Sequence, residues 1–127
     1  MMLSEHFDSS EFACHCGCGY MNDGKDVAPT LLDLLEKIRK RCGEILGRDC
    51  PLTINSGVRC PEHNANEGGA SNSQHLYGLA ADVATPEGMT DDEFAAVGEE
   101  CGADGIGYYN GRIHFDMRGY EARWDFR

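Results

Sequence analysis

Two histidines and an aspartate, His75, Asp82 and His114, are the residues whose types and spacing could share a metal ion. Zinc in a catalytic site takes three protein ligands and keeps a fourth position for water, and two imidazoles with one carboxylate suit zinc. Asp82 stands between Ala81 and Val83 in an apolar stretch. A buried carboxylate without a partner is costly, so it must be paired or metal-bound. Each residue alone also has a plainer reading, because a lone His in a strand is more often a hydrogen-bonded core or surface residue. Spacing leaves both readings open.

Cysteine is the other chemistry-bearing residue type. There are 7, an odd number, and three lie in Cys14-His15-Cys16-Gly17-Cys18, with Cys42, Cys50, Cys60 and Cys101 scattered beyond. In a reducing compartment such clustering suggests metal before disulfide. The Cys-x-Cys-x-Cys spacing lacks the two-residue gap of a zinc knuckle. The expectation is therefore small, partly buried thiols. The alternative is a second, structural zinc held by Cys14, Cys16 and Cys18 with Cys60 or His15.

The elements that must position these groups are legible in part. The first ~28 residues read as irregular and Cys-rich, with Gly17, Gly19, Asn22, Asp23 and Gly24 breaking any period. Pro29 suits a first helical position, and Leu31, Leu32, Leu35, Ile38 and Cys42 recur at helical spacing. Lys37, Arg39, Lys40 and Arg41 would load the last turns, and Gly43 would cap the helix. Pro51 to Asn55 reads as a short strand closed by Ser56-Gly57, and Pro61 opens a short helix through Glu67. Gly69 to Gln74 reads as a polar loop, and Leu79 to Thr85 as a second strand. Thr90-x-x-Glu93 is a capping box, followed by Phe94, Val97 and Cys101 on one face and Gly102 as a stop.

Asn110-Gly111 between two alternating runs is a strong hairpin signal. A two-residue turn there sets Tyr109 opposite Arg112, Tyr108 opposite Ile113, Gly107 opposite His114, Ile106 opposite Phe115 and Gly105 opposite Asp116. Side chains alternate along a strand. One face must therefore be core, with Ile106, Tyr108, Ile113, Phe115 and Met117. The other carries His114 and Asp116 beside Gly107 and Gly105, glycines that mark a place needing room. These elements amount to an α+β domain with a small antiparallel sheet and flanking helices.

The whole chain of 127 residues fits one domain, spanning 1–127. It has 22 acidic and 11 Lys/Arg residues, a formal net charge of -11, so nucleic acid is not expected as a partner. No apolar run approaches the roughly 20 residues that span a bilayer. Met1 to Ser10 has no basic and apolar regions of a signal peptide. Synthesis in the cytoplasm is expected, as a monomer, with another agent carrying the protein to any external substrate.

Ser73-Gln74-His75-Leu76-Tyr77-Gly78-Leu79-Ala80-Ala81-Asp82 resembles the Ser-x-His-x-x-Gly-x-Ala-x-Asp signature of the zinc D-Ala-D-Ala carboxypeptidase family, the M15-like peptidases that share a fold with the hedgehog signalling domain. Ser56-Gly57-Val58-Arg59 is similar to that family's Ser-Gly-Tyr-Arg segment, with Val58 replacing the aromatic. Ile113-His114-Phe115-Asp116 looks like its later His-x-Asp segment. The opening Ser4-Glu5-His6-Phe7 and Ser10-Glu11-Phe12 resemble small phage-associated members.

The resemblance implies zinc at His75, Asp82 and His114, with Arg59 meeting the substrate and steadying developing negative charge. It implies that Ser73 and Gln74 line the substrate cleft, and that the substrates are peptidoglycan stem peptides or cross-links, as for an endolysin-like enzyme. Several branches carry an acid three positions before the last His ligand, where this chain has Gly111. Asp116 is the replacement expected as general base, with Asp104 in reserve. Its plainer role is a carboxylate that orients His114. A non-catalytic zinc module of the same fold, or a zinc-stabilised phage structural protein, is the alternative to an enzyme.

Overall fold

The computed structural model describes residue 2 and residues 4–7, 28–56 and 79–127. The Cys14–Cys18 cluster, the expected helix at 61–67, the polar loop at 69–74, and Arg59, Cys60, Ser73, Gln74 and His75 lie outside the described residues.

Helix α1 spans Pro29–Leu46, with proline in its first turn and Leu31, Leu32, Leu34, Leu35, Ile38 and Cys42 buried. It runs one turn beyond Gly43, the stop expected from sequence. The cap is Gly47, left-handed at φ 69, whose N–H donates to the Gly43 carbonyl. An interior glycine costs a helix about 1 kcal/mol. Leu46, which packs against the core one turn later, offsets that cost. Lys37 to Arg41 consequently sit mid-helix, and the last turn has no basic residue. Arg39 instead pairs with Asp49 at 3.0 Å and Arg41 with Glu100 at 3.3 Å.

Helix α2, Asp91–Cys101, begins at the expected capping box. Thr90 accepts from the Glu93 N–H, while the Glu93 carboxylate accepts from the Thr90 N–H. Gly102, at φ 100, ends it.

Strands β1 (Ile54–Ser56), β2 (Ala80–Ala84), β3 (Gly105–Tyr109), β4 (Arg112–Asp116) and β5 (Ala122–Asp125) form one sheet in the order β1-β2-β4-β3-β5. The α+β expectation holds. The first strand is shorter than the expected Pro51 start, since its ladder with β2 begins at Ile54↔Val83. The β3–β4 hairpin has the register read from Asn110-Gly111, from Tyr109↔Arg112 to Gly105↔Asp116. Gly111 adopts φ 81, as that tight turn requires. The fifth strand was not foreseen. It pairs parallel to β3, so a sheet expected to be antiparallel is mixed.

One face of the sheet carries Ala81, Val83, Ile106, Ile113 and Phe115, all at most 1 % exposed, into a core shared with α1 and α2. Phe115 meets Phe94 edge-on at 5.2 Å. The α2 backbone approaches so closely at Gly98 that a Cβ there would collide with the Phe115 ring. Phe7 also enters this core. Its segment is tied to α1 by Glu36, which accepts from Ser4 Oγ at 2.6 Å and the His6 N–H at 2.8 Å.

Candidate metal centre

On the opposite side, a row of five backbone-paired positions crosses the sheet through Asp82 and His114. Ser56 pairs with Asp82, Asp82 with His114, His114 with Gly107, and Gly107 with Trp124. Strand pairing thus brings Asp82 and His114, 32 residues apart in the chain, side by side. Antiparallel neighbours directly opposite place their Cβ atoms about 5 Å apart. The next row is Ala80, Asp116, Gly105 and Ala122. Three of its four members are small, which leaves the Asp116 carboxylate space beside His114.

The polar side chains close on one another. His114 Nδ1 lies 3.0 Å from Asp82 Oδ1, and Nε2 lies 2.7 Å from Asp116 Oδ2. Asp116 is fully buried at 0 % exposure. Arg118 clamps it from its far side: Nε donates to Oδ1 at 2.9 Å, Nη2 to Oδ2 at 2.7 Å, and the backbone N–H to Oδ1 at 3.2 Å. Burial opposes charge on Asp116, but the hydrogen bonds from His114 and Arg118 outweigh it and hold the carboxyl well below the usual range. Burial likewise opposes a charged imidazole at His114, and its two carboxylate partners overcome that, raising its pKa.

The room expected across from His114 and Asp116 is occupied. A Cβ on Gly105 would collide with the Asp116 carboxylate, and one on Gly107 would collide with the Trp124 indole. The glycines do mark space, but protein groups fill it. Asp104, the reserve base, uses Oδ2 to accept the Gly119 N–H at 2.9 Å and so serves the turn after β4. Gly111, at the position where an acid was looked for, donates its N–H to Asp91 at the start of α2.

Of the expected ligands, Asp82 and His114 meet, while His75 lies outside the described residues. No group of three metal-holding side chains forms among the described residues. The two that meet fit a shared ion. Ligands of one tetrahedral zinc, each about 2.0–2.1 Å from it, stand roughly 3.3 Å apart. The observed 3.0 Å between Asp82 Oδ1 and His114 Nδ1 needs only a small side-chain adjustment. A ligating His almost always donates its other ring N–H to a carboxylate, the relation Nε2 has to Asp116.

Arg118 and Trp124 were not singled out from sequence. Arg118 lies only two residues past Asp116, and Trp124 is the chain's single tryptophan, but neither signal names a partner. The thiols among the described residues are apart from this face. Cys42 and Cys50 are buried in the core and Cys101 is partly buried. Burial, with Cys50 and Cys101 nearby, pushes the Cys42 thiol up to about 12.

No helix among the described residues is long and apolar enough to cross a membrane. The chain is similar to the zinc D-Ala-D-Ala carboxypeptidase of Streptomyces albus G, at 35% identity over 82 residues. That match covers 60% of this chain and 31% of the relative, so the chain spans about a third of the protein it resembles. The model of the peptidase M15 family matches residues 5–116, which takes in the polar face from Asp82 to Asp116. On that match the chain belongs to the peptidase M15 family.

Proposed function

We propose that this chain is a zinc-dependent peptidase that hydrolyses peptide bonds in bacterial peptidoglycan stem peptides or cross-links. The observation that carries this reading is the Asp82–His114 pair, two metal-donor atoms 3.0 Å apart on adjacent strands, with the other His114 nitrogen held by a clamped carboxylate. The ligands would be Asp82, His114 and His75, and the relative's name supports zinc as the ion. Zinc held there supplies a Lewis acid for the scissile carbonyl and an activated water.

The chain's own residues do the rest. Asp116 aims His114: with both oxygens engaged and no solvent exposure, it accepts the Nε2–H and leaves Nδ1 directed at Asp82. This is the orienting role, and it takes Asp116 out of the role of general base, which must reach the substrate. Arg118 keeps Asp116 ionised. Arg59 would meet developing negative charge on the substrate, and Ser73 and Gln74 would line the cleft. The resemblance of Ser56-Gly57-Val58-Arg59 and of the Ser73–Asp82 signature supports these three roles.

Gly111 favours a second reading. An exposed turn glycine stands where the resemblance implies an acid in several branches of the family, which suits a module that holds zinc without hydrolysis. One experiment separates the two. Purified muropeptides are digested with the zinc-loaded protein and the product masses compared with those from His114→Ala. New fragments whose masses add up to the parent plus water, absent with the variant, support the peptidase. One bound zinc with no cleavage of any muropeptide makes the chain a binding module. Zinc that survives both His114→Ala and His75→Ala moves the metal to the cysteines.

A further inference from the structure

Strand β5 carries neither a proposed ligand nor the orienting carboxylate. It brings Trp124 to the end of the transverse row, on the side of His114 away from Asp82. The indole and imidazole centroids are 4.9 Å apart, with planes inclined at 54°. This approach is possible because Gly107, the residue between them, has no side chain; a Cβ there would collide with indole Cε2 and Nε1. The indole is itself fixed. Nε1–H donates to the Tyr109 hydroxyl at 3.2 Å, and the Arg118 guanidinium stands 5.1 Å from the ring. The same arginine clamps Asp116, so Trp124 and Asp116 are braced by one side chain.

We infer that Trp124 is a positioning residue for His114: its indole fixes the imidazole plane and dries that flank, aiming Nδ1 at Asp82. An imidazole on a strand can turn about its last bond; the contacts at Nδ1 and Nε2 hold its edges, and an indole packed against it further restricts that turn. An apolar wall also strengthens the Nε2–H bond to Asp116 by excluding water. The inference rests on His114 as a metal ligand, as proposed above.

The test is zinc binding, measured by competition with a chromophoric chelator on metal-stripped protein. Because the chain has 1 tryptophan, its emission reports this one ring. Zinc should change the emission with saturation at one equivalent, and His114→Ala should abolish the change. Trp124→Ala should weaken zinc roughly 10–100-fold, the range for lost outer partners of a ligand His. Trp124→Phe, which keeps a flat ring, should recover most of that affinity. Gly107→Ala, whose methyl group displaces the indole, should weaken zinc as Trp124→Ala does while leaving Trp124 in the chain. The visible absorption of the cobalt-loaded proteins should shift in the two weakened variants and not in Trp124→Phe. If Trp124→Ala fails to fold, Trp124→Leu, apolar but not flat, takes its place.

Wild-type affinity and an unchanged cobalt spectrum in both Trp124→Ala and Gly107→Ala would overturn the positioning role and leave the metal site standing. Wild-type protein that takes up no zinc, or zinc undisturbed by His114→Ala, would overturn the metal site and the positioning role together.

Discussion

Both faces of the sheet bury side chains, and they are held by opposite means. On one, Val83, Ile106, Ile113 and Phe115 are at 0 % exposure and need nothing but close packing. On the other, Asp82, His114 and Asp116 are at 7 %, 6 % and 0 %, and they are joined to one another by charge-assisted hydrogen bonds. Burial of apolar surface is non-directional, so the first face tolerates substitutions of similar volume. Burial of charge is conditional on every partner, so the second fails whenever one is removed. The difference supports the proposal that the polar face is the functional one: it retains costly groups that packing alone would replace with leucine.

That contrast can be broken most completely at the proposed ligands. Asp82→Ala or His114→Ala should remove the bound zinc and take muropeptide hydrolysis to background, while circular dichroism shows the helices intact. Metal analysis and product masses check this.

The next largest effect lies on the apolar face. Phe115→Ala empties the space between Phe94 and the Gly98 notch and should cost about 3–5 kcal/mol in denaturant unfolding of the metal-free protein. Phe115→Leu should cost clearly less, since the face asks only for apolar volume.

Arg118→Ala sharpens the contrast, because it removes no core volume yet strands a buried carboxylate. It should cost about 2–3 kcal/mol and weaken zinc roughly 10-fold or more through the freed His114. Arg118→Lys should rescue only part, because a single ammonium cannot reproduce the two-nitrogen grip. Chemical denaturation and chelator competition give the two numbers.

The smallest effect lies outside both faces, where Glu36 ties residues 4–7 to α1. Burial opposes its charge, but hydrogen bonds from Ser4 and His6 prevail and lower its pKa from the ordinary carboxylate value. A depressed carboxylate stabilises the folded state above its unfolded pKa, and that contribution is lost as pH falls through the folded one. Glu36→Gln should therefore cost about 1 kcal/mol at neutral pH and nothing once wild-type Glu36 is protonated. Unfolding free energies of both proteins from pH 7 down to pH 3 check the convergence.

Much of the fold is written in local patterns. The capping box at Thr90 and Glu93, the stop at Gly102 and the Asn110-Gly111 hairpin register all depend on neighbours in sequence, and each is found in place. The missed boundary at Gly43 follows from the same logic, because Leu46 supports the extra helical turn only through its contact with the core. The alternation that put His114 and Asp116 on one face of β4 was equally legible, and strand pairing then set Asp82 beside them.

What the sequence determined by itself was therefore the short-range geometry and the kinds of group available: a hairpin, two helices of which one has its caps as read, a carboxylate and an imidazole on apolar strands. Only the tertiary structure decided what each group meets. Asp116 is held between His114 and Arg118 because Arg118 folds back on it, and the space at Gly107 is filled because β5 returns parallel to β3 with Trp124. Those contacts depend on where a strand with no strong pattern of its own finds an open edge, which period and composition do not encode.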